Sequence, residues 1–521
     1  MNLEPTFEAF AAGWARGETQ LVYARLAADL DTPVSLMLKL AEARADTFML
    51  ESVTGGEVRG RYSVVGLKPD LIWQCHGTQA RINRQARFDP TAFVPEPAAP
   101  LTSLRALIAE SRVELPEGLP PIACGLFGYL GYDMIRLVEH LPDVNPDPLG
   151  LPDAVLLRPS VVAVLDGVKG EVTVVAPAWA HSGLSARAAY AQAAERVMDA
   201  MRDLDRSPPA QRDLGEAAPV GEATSNFTHD GYKQAVERAK AYIRAGDIFQ
   251  VVPSQRWTQR FELPPFAFYR SLRRTNPSPF LFFFNFGGFQ VVGASPEILV
   301  RLRDGEVTVR PIAGTRRRGA TPDEDRSLEA DLLADPKGRA EHLMLLDLGR
   351  NDVGRVARIG TVRPTEQFII ERYSHVMHIV SNVVGEIAEG QDALSALLAG
   401  LPAGTVSGAP KVRAMQIIDE LEHAQRGPYC GSVGYIGDDG SAQLNVAIRT
   451  ALIAPPSGEP AANQNPSHYA AGSTLAYWVG AGIVADSTPA SEWEETLAKA
   501  SAIEAVGTGD WGSGTGVGER Q

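Results

Sequence analysis

Cysteine is scarce: Cys75, Cys124 and Cys430 are the only three in 521 residues, far apart and with no CxxC pair. An odd count without close spacing speaks against a disulfide framework and fits a reducing, cytoplasmic setting. No apolar run approaches the ~18 residues a membrane helix needs, so no membrane is expected as a partner. The first residues, with Glu4, Pro5 and Glu8, do not read as a secretory signal. Basic charge is also short. The formal net charge is −14, which disfavours nucleic acid as a partner but leaves room for a small anion held by local arginines. Three catalytic signatures are missing as well: no phosphate loop, no HExxH and no GxSxG elbow.

The chain does have ordinary globular chemistry, 45% hydrophobic and 21% charged, at a length that calls for more than one simple core. Helices are expected over Pro33–Ala45, Ser185–Leu204, His229–Ala245, Asp325–Leu348 with a break at Asp335-Pro336, and Pro489–Val506. β-branched and apolar runs mark strands at Val161–Leu165, Val172–Ala176, Asp247–Arg256, Pro279–Phe286, Val291–Leu302, Glu306–Arg310, Val433–Ile436, Gln443–Ile453 and Leu475–Ala485. Residues 206–225 read as a linker between an N-terminal region, 1–205, and a C-terminal domain, 226–507. A Pro/Asn-rich insertion covers Ala454–His468, and 508–521 is a Gly-rich tail expected to be disordered. Many strands with irregularly interspersed helices make this an α+β fold with large antiparallel sheets.

Several features could carry chemistry. On the last helix Glu492, Glu495 and Lys499 fall on one face, which a solvated surface would also explain. Glu341 sits on another helix, and carboxylates from two helices would suit Mg²⁺, a hard ion that takes carboxylates, water and substrate oxygens. His375 and His378 are three apart. Arg449 lies among apolar neighbours, where it needs either an anionic ligand or a structural Asp or Glu. Gly480-Ala481-Gly482 could offer backbone N–H groups to a carboxylate or simply form a tight turn. These residues point to a magnesium site beside a site for a small anion.

Together the motifs Gly293-Ala-Ser-Pro-Glu297, Pro311-Ile-Ala-Gly-Thr315, Ala340-Glu-His-Leu-Met344, Arg350-Asn-Asp352, His375-Val-Met-His378, Gly404–Lys411 and Ser491-Glu-Trp-Glu-Glu-Thr496 closely resemble the chorismate-utilising enzymes. The resemblance covers nearly the whole chain from about residue 45. It implies a two-layer antiparallel β-sandwich flanked by helices, with the site between the sheets. Glu341 and Glu495 resemble ligands of Mg²⁺, with Glu492 acting through water. Gly314, Thr315, Gly480, Ala481, Gly482 and Lys499 match positions cradling the ring carboxylate of chorismate. Tyr429 and Arg449 match contacts to the enolpyruvyl carboxylate. Glu297 resembles the acid that helps the 4-hydroxyl leave, His378 the residue handling proton transfer during pyruvate loss, and Thr405 a group orienting the ring.

Two positions sort the chain within the family. Gln250 stands where water-adding relatives carry a lysine base, so the implied nucleophile is ammonia. Ala313 stands where aminodeoxychorismate-forming relatives typically carry lysine, which favours anthranilate as product. The alternatives are aminodeoxychorismate formation and a catalytically impaired tryptophan-sensing subunit. With no glutaminase domain in the chain, the resemblance implies a hetero-oligomer with a glutamine amidotransferase subunit that delivers ammonia. Ser52 with Pro279, Phe280 and Leu281 resembles a feedback site for tryptophan. One departure stands out: Gly338 replaces the glutamate usual three residues before Glu341, removing a carboxylate from the implied metal surroundings.

Overall fold

The computed structural model describes residues 2–41, 44–52, 60–207, 222–276, 278–373, 376–455 and 473–507. Most of the expected linker, most of the Ala454–His468 insertion, His375 and the tail lie outside these residues.

Helices begin where the chain supplies an acceptor for free amides. Thr32 caps Pro33–Leu40, which ends five residues earlier than expected. Ser185 caps Ala186–Leu204, and Thr228 caps His229–Ala245, closed by left-handed Gly246. Asp335 ends the helix Pro322–Ala334 and caps Pro336–Gly354, its carboxylate accepting from Lys337 N–H. The last helix runs Pro489–Gly507.

Three expected strands are each two. Pro253 splits Gln250–Val251 from Ser254–Phe261, and Pro296 splits Gln290–Ser295 from Ile298–Arg303. Proline lacks the N–H a ladder needs. The third break separates Ala442–Val446 from Thr450–Ala454 and holds Arg449 at φ 49, so this arginine lies in a left-handed turn instead of a strand. The hairpin Arg363–Arg372/Val376–Glu386 was not anticipated.

Among the described residues, twenty-one strands join in one hydrogen-bonded network. N-terminal strands enter it directly: Thr47–Glu51 pairs antiparallel with Phe280–Asn285, and Gly125–Leu130 with Ser432–Gly437. The network curls back on itself, since Phe48 stacks on Phe127 at 4.3 Å although two strands separate theirs in the sheet. Alternate residues of one strand therefore serve two cores. From Ala154–Asp166, Val162 and Val164 face the core that holds Phe48, Phe127 and Phe282. Val161 and Ala163 face the one under the helices, with Leu36, Val197 and Tyr269. Each such valine, leucine or phenylalanine contributes roughly 1.5–3 kcal/mol when fully buried. The fold is α+β, with large antiparallel β layers and helices packed outside.

Candidate active site

A cavity of about 640 Å³ opens at the C-terminal half's strands, lined among others by Glu297, Gly314, Thr315, His378, Thr405, Tyr429, Arg449, Gly480, Glu495 and Lys499. Ten of the anticipated residues thus share one chamber.

Pro296 breaks its strand and turns Glu297 inward, where it is 7% exposed. Its carboxyl accepts from the Thr405 hydroxyl at 2.9 Å, with the second oxygen at 3.1 Å. Burial pushes Glu297 up to about 8, against the modest opposing pull of Thr405. It is a protonated acid at neutral pH.

The strand Ile312–Arg317 slips register against Val376–Glu386 between Ala313 and Thr315. The slip leaves Gly314 bulged at φ 66, a conformation suited to glycine. Its carbonyl lies 2.9 Å from His378 Nδ1, and the Thr315 hydroxyl 3.1 Å away. A carbonyl only accepts, so Nδ1 carries the hydrogen and Nε2 keeps its lone pair. Burial lowers the His378 pKa, with the Gly314 bond opposing and Arg449 adding to the shift. His378 is a neutral base.

Arg449 donates to the Asn276 side-chain oxygen at 3.1 Å. Among the described residues no Asp or Glu pairs with it, so the structural partner considered for it is absent and an anion can take its place. Burial lowers its pKa. Tyr429 stacks on Trp478, ring centres 5.9 Å apart, as a wall. Lys499 bridges the Gly480 carbonyl at 2.8 Å and Glu495 at 2.7 Å.

Five anticipated residues do not line the chamber. Ala481 is fully buried and its N–H donates to the Pro253 carbonyl at 3.3 Å, so that amide is committed within the protein. A Cβ at Gly482 would stand 2.8 Å from the Gln250 side-chain nitrogen, so glycine permits that approach. Gln250 in turn bonds Glu341, and its oxygen is buried without a partner. Glu341 is raised by burial, opposed by Lys337 and reinforced by Glu495; Glu492 is raised by burial, opposed by Ser487 and reinforced by Glu495. Glu495 thus repels both Glu341 and Glu492. Among the described residues no three such groups are already converged for a metal, and Glu495 is paired with Lys499. Hard oxygen donors that burden one another in this way fit Mg²⁺ in chemistry.

A second cavity, about 480 Å³, is lined by Ser52, Pro279, Phe280 and Leu281 together with Glu51, Arg61 and Tyr435. The segment just before Pro279 belongs to the first chamber, through Thr275, Asn276 and Ser278. Asn276 opens the Asn276–Leu281 motif that resembles the tryptophan site, and its contact with Arg449 was not anticipated.

The model of the chorismate binding enzymes matches residues 65–505. Anthranilate synthase component 1 of Cereibacter sphaeroides is 76% identical over 498 residues, 96% of each chain. The same-named protein of Pseudomonas aeruginosa is 46% identical over 96% of this chain and 98% of its own. Among solved structures, anthranilate synthase component I from Streptococcus pneumoniae superposes with a TM-score of 0.73 at 33% identity, covering 87% of this chain and 94% of that one. The menaquinone-specific isochorismate synthase of Escherichia coli shares the fold, with a TM-score of 0.69 at 19% identity over 94% of each chain. The chain belongs to the chorismate-binding enzymes, and within them to the anthranilate synthase component 1 family.

Proposed function

We propose that the chain converts chorismate and ammonia to anthranilate, pyruvate and water. The observation that carries this is one chamber holding a buried protonated acid, a neutral imidazole and an arginine that pairs with no carboxylate among the described residues. Arg449 and Tyr429 take the enolpyruvyl carboxylate, bidentate at the guanidinium. Lys499, Gly314, Thr315 and Gly480 border the ring carboxylate. Ammonia adds at C2, the ring double bonds shift, and Glu297 gives its proton to the departing 4-hydroxyl, which leaves as water. Thr405 fixes the acid's direction. His378 Nε2 then accepts the C2 proton as the ring aromatises and pyruvate is expelled. Gln250, an amide, cannot deprotonate water at its end of the site, which leaves ammonia the better nucleophile.

Glu341 and Glu495, with Glu492 behind them, would hold Mg²⁺. When bound, the ion withdraws charge from the ring carboxylate and so eases loss of the 4-hydroxyl. Ammonia would come from a glutamine amidotransferase partner in a cytoplasmic hetero-oligomer, and tryptophan would bind the second cavity as feedback inhibitor. In a mixture of the purified chain with chorismate, Mg²⁺ and an ammonium salt at alkaline pH, anthranilate fluorescence and equimolar pyruvate are expected, suppressed by tryptophan. Chorismate loss without pyruvate would replace this reading with aminodeoxychorismate formation.

A further inference from the structure

Arg426 lies just outside the chamber and has a side chain only 2% exposed. It was not among the residues singled out from sequence. A buried ion pair brings little net stability, because desolvation offsets the attraction, so its presence beside an active site asks for another role. Its bonds supply one. One terminal nitrogen donates to the Val406 carbonyl at 2.8 Å, the other to the Val252 carbonyl at 2.7 Å. Nε and the second terminal nitrogen hold the Glu422 carboxylate, which also accepts from Ser254 N–H at 2.7 Å and the Ser254 hydroxyl at 2.9 Å. The guanidinium plane sits over Tyr132 and Tyr429, 4.8 and 5.8 Å from the ring centres. It also touches Cys430, which holds φ 65 without being glycine.

The tied segments are the ones that carry chemistry. Val406 follows Thr405, which orients Glu297. Val252 lines the chamber and follows Gln250-Val251. Tyr429 is the wall against Trp478. A planar fork with five fixed donors can hold three segments at one relative position; a lysine cannot.

We propose that Arg426, locked by Glu422, is a positioning residue: it sets the distance between the Thr405–Glu297 acid and the Tyr429 wall by gripping the Val406 and Val252 carbonyls at once. This rests on the chorismate-to-anthranilate reading above. Arg426→Lys keeps the charge and loses the fork. With chorismate and ammonium as substrates, kcat should fall about a hundredfold, the size of loss that small misplacement causes, while KM for chorismate stays within about threefold. Hydrogen exchange of the full chain should rise in peptides covering 250–254 and 404–408. In a Thr405→Val background the same change should cost less than about threefold, because the acid it positions is already unheld. Should Arg426→Lys lose its cooperative unfolding, Ser254→Ala, which removes only the hydroxyl donor from Glu422 and keeps the backbone one, carries the same cycle with coupling of the same sign. Additive losses, or exchange unchanged in both segments, would overturn the proposal. Exchange that rises as expected in a chain whose wild type makes no anthranilate would leave the clamp standing and overturn the functional reading instead.

Discussion

Glu297 owes its retained proton to an absence of water more than to any neighbour: burial raises its pKa, and Thr405 is the one group set against that. A folded-state pKa of about 8 against an ordinary 4.5 means the folded chain prefers the protonated form. No penalty exists below about 4.5; stability is lost as pH rises from there to about 8, reaching roughly 3 kcal/mol at neutral pH. Glu297→Gln keeps the shape and removes the proton. Anthranilate formation should drop by about 10²–10⁴-fold, the usual worth of general acid catalysis. Thermal unfolding should move to higher temperature, by an increment that grows between pH 5 and 8. An increment that stays flat over that range would show that Glu297 is not held protonated by the fold. Residues of this kind were legible because they sit in long motifs. Arg426 was not. A Glu and an Arg four apart, as Glu422 and Arg426 are, look like any solvated surface pair, and only tertiary packing buries this one.

Elements read best where side chains announce their ends. Thr32 and Asp335 cap the helices expected of them, and Ser185 and Thr228 cap two more whose extents were expected, because the capping bond is local. Strands read less well. Pro253 and Pro296 interrupt apolar runs without altering their composition, and the turn at Arg449 uses a left-handed residue other than glycine. The exposed face of Arg363–Arg372 hides its strand behind charge. One helix start has functional weight. At Gly338, in the first turn of Pro336–Gly354, an added Cβ would stand 3.2 Å from the capping Asp335 carboxylate, which would have to shift by a few tenths of an ångström. Gly338→Glu would place a carboxylate one turn before Glu341 and recover about 0.5–1 kcal/mol of helix propensity. The Mg²⁺ concentration for half-maximal rate should fall severalfold, and direct calorimetric titration with Mg²⁺ should tighten in parallel. An unchanged affinity would mean that this position lies outside the metal's surroundings.

At the scale of the molecule, the boundary expected near residues 206–225 separates stretches of sequence whose strands share one network. Thr47–Glu51 and Gly125–Leu130 are neighbours of Phe280–Asn285 and Ser432–Gly437, and the core around Phe48, Phe127 and Phe282 draws on both halves. Residues 226–507 produced alone would expose unpaired edges and an open core face. They should show no cooperative unfolding by circular dichroism, whereas adding residues 1–205 in trans should restore a transition; an independent, sharp transition of the fragment would contradict the shared core.

The two cavities meet on one short piece of chain: Asn276, which holds Arg449, and Pro279, which borders the second chamber, stand three residues apart. If filling one chamber disturbs that piece, the traffic runs both ways, for equilibrium binding admits no one-way coupling. Whatever factor the end product imposes on the grip for the precursor, the precursor imposes on the grip for the end product. If tryptophan fills the second chamber and weakens chorismate in the first, chorismate raises the tryptophan needed for half-occupancy by up to that same factor and no more.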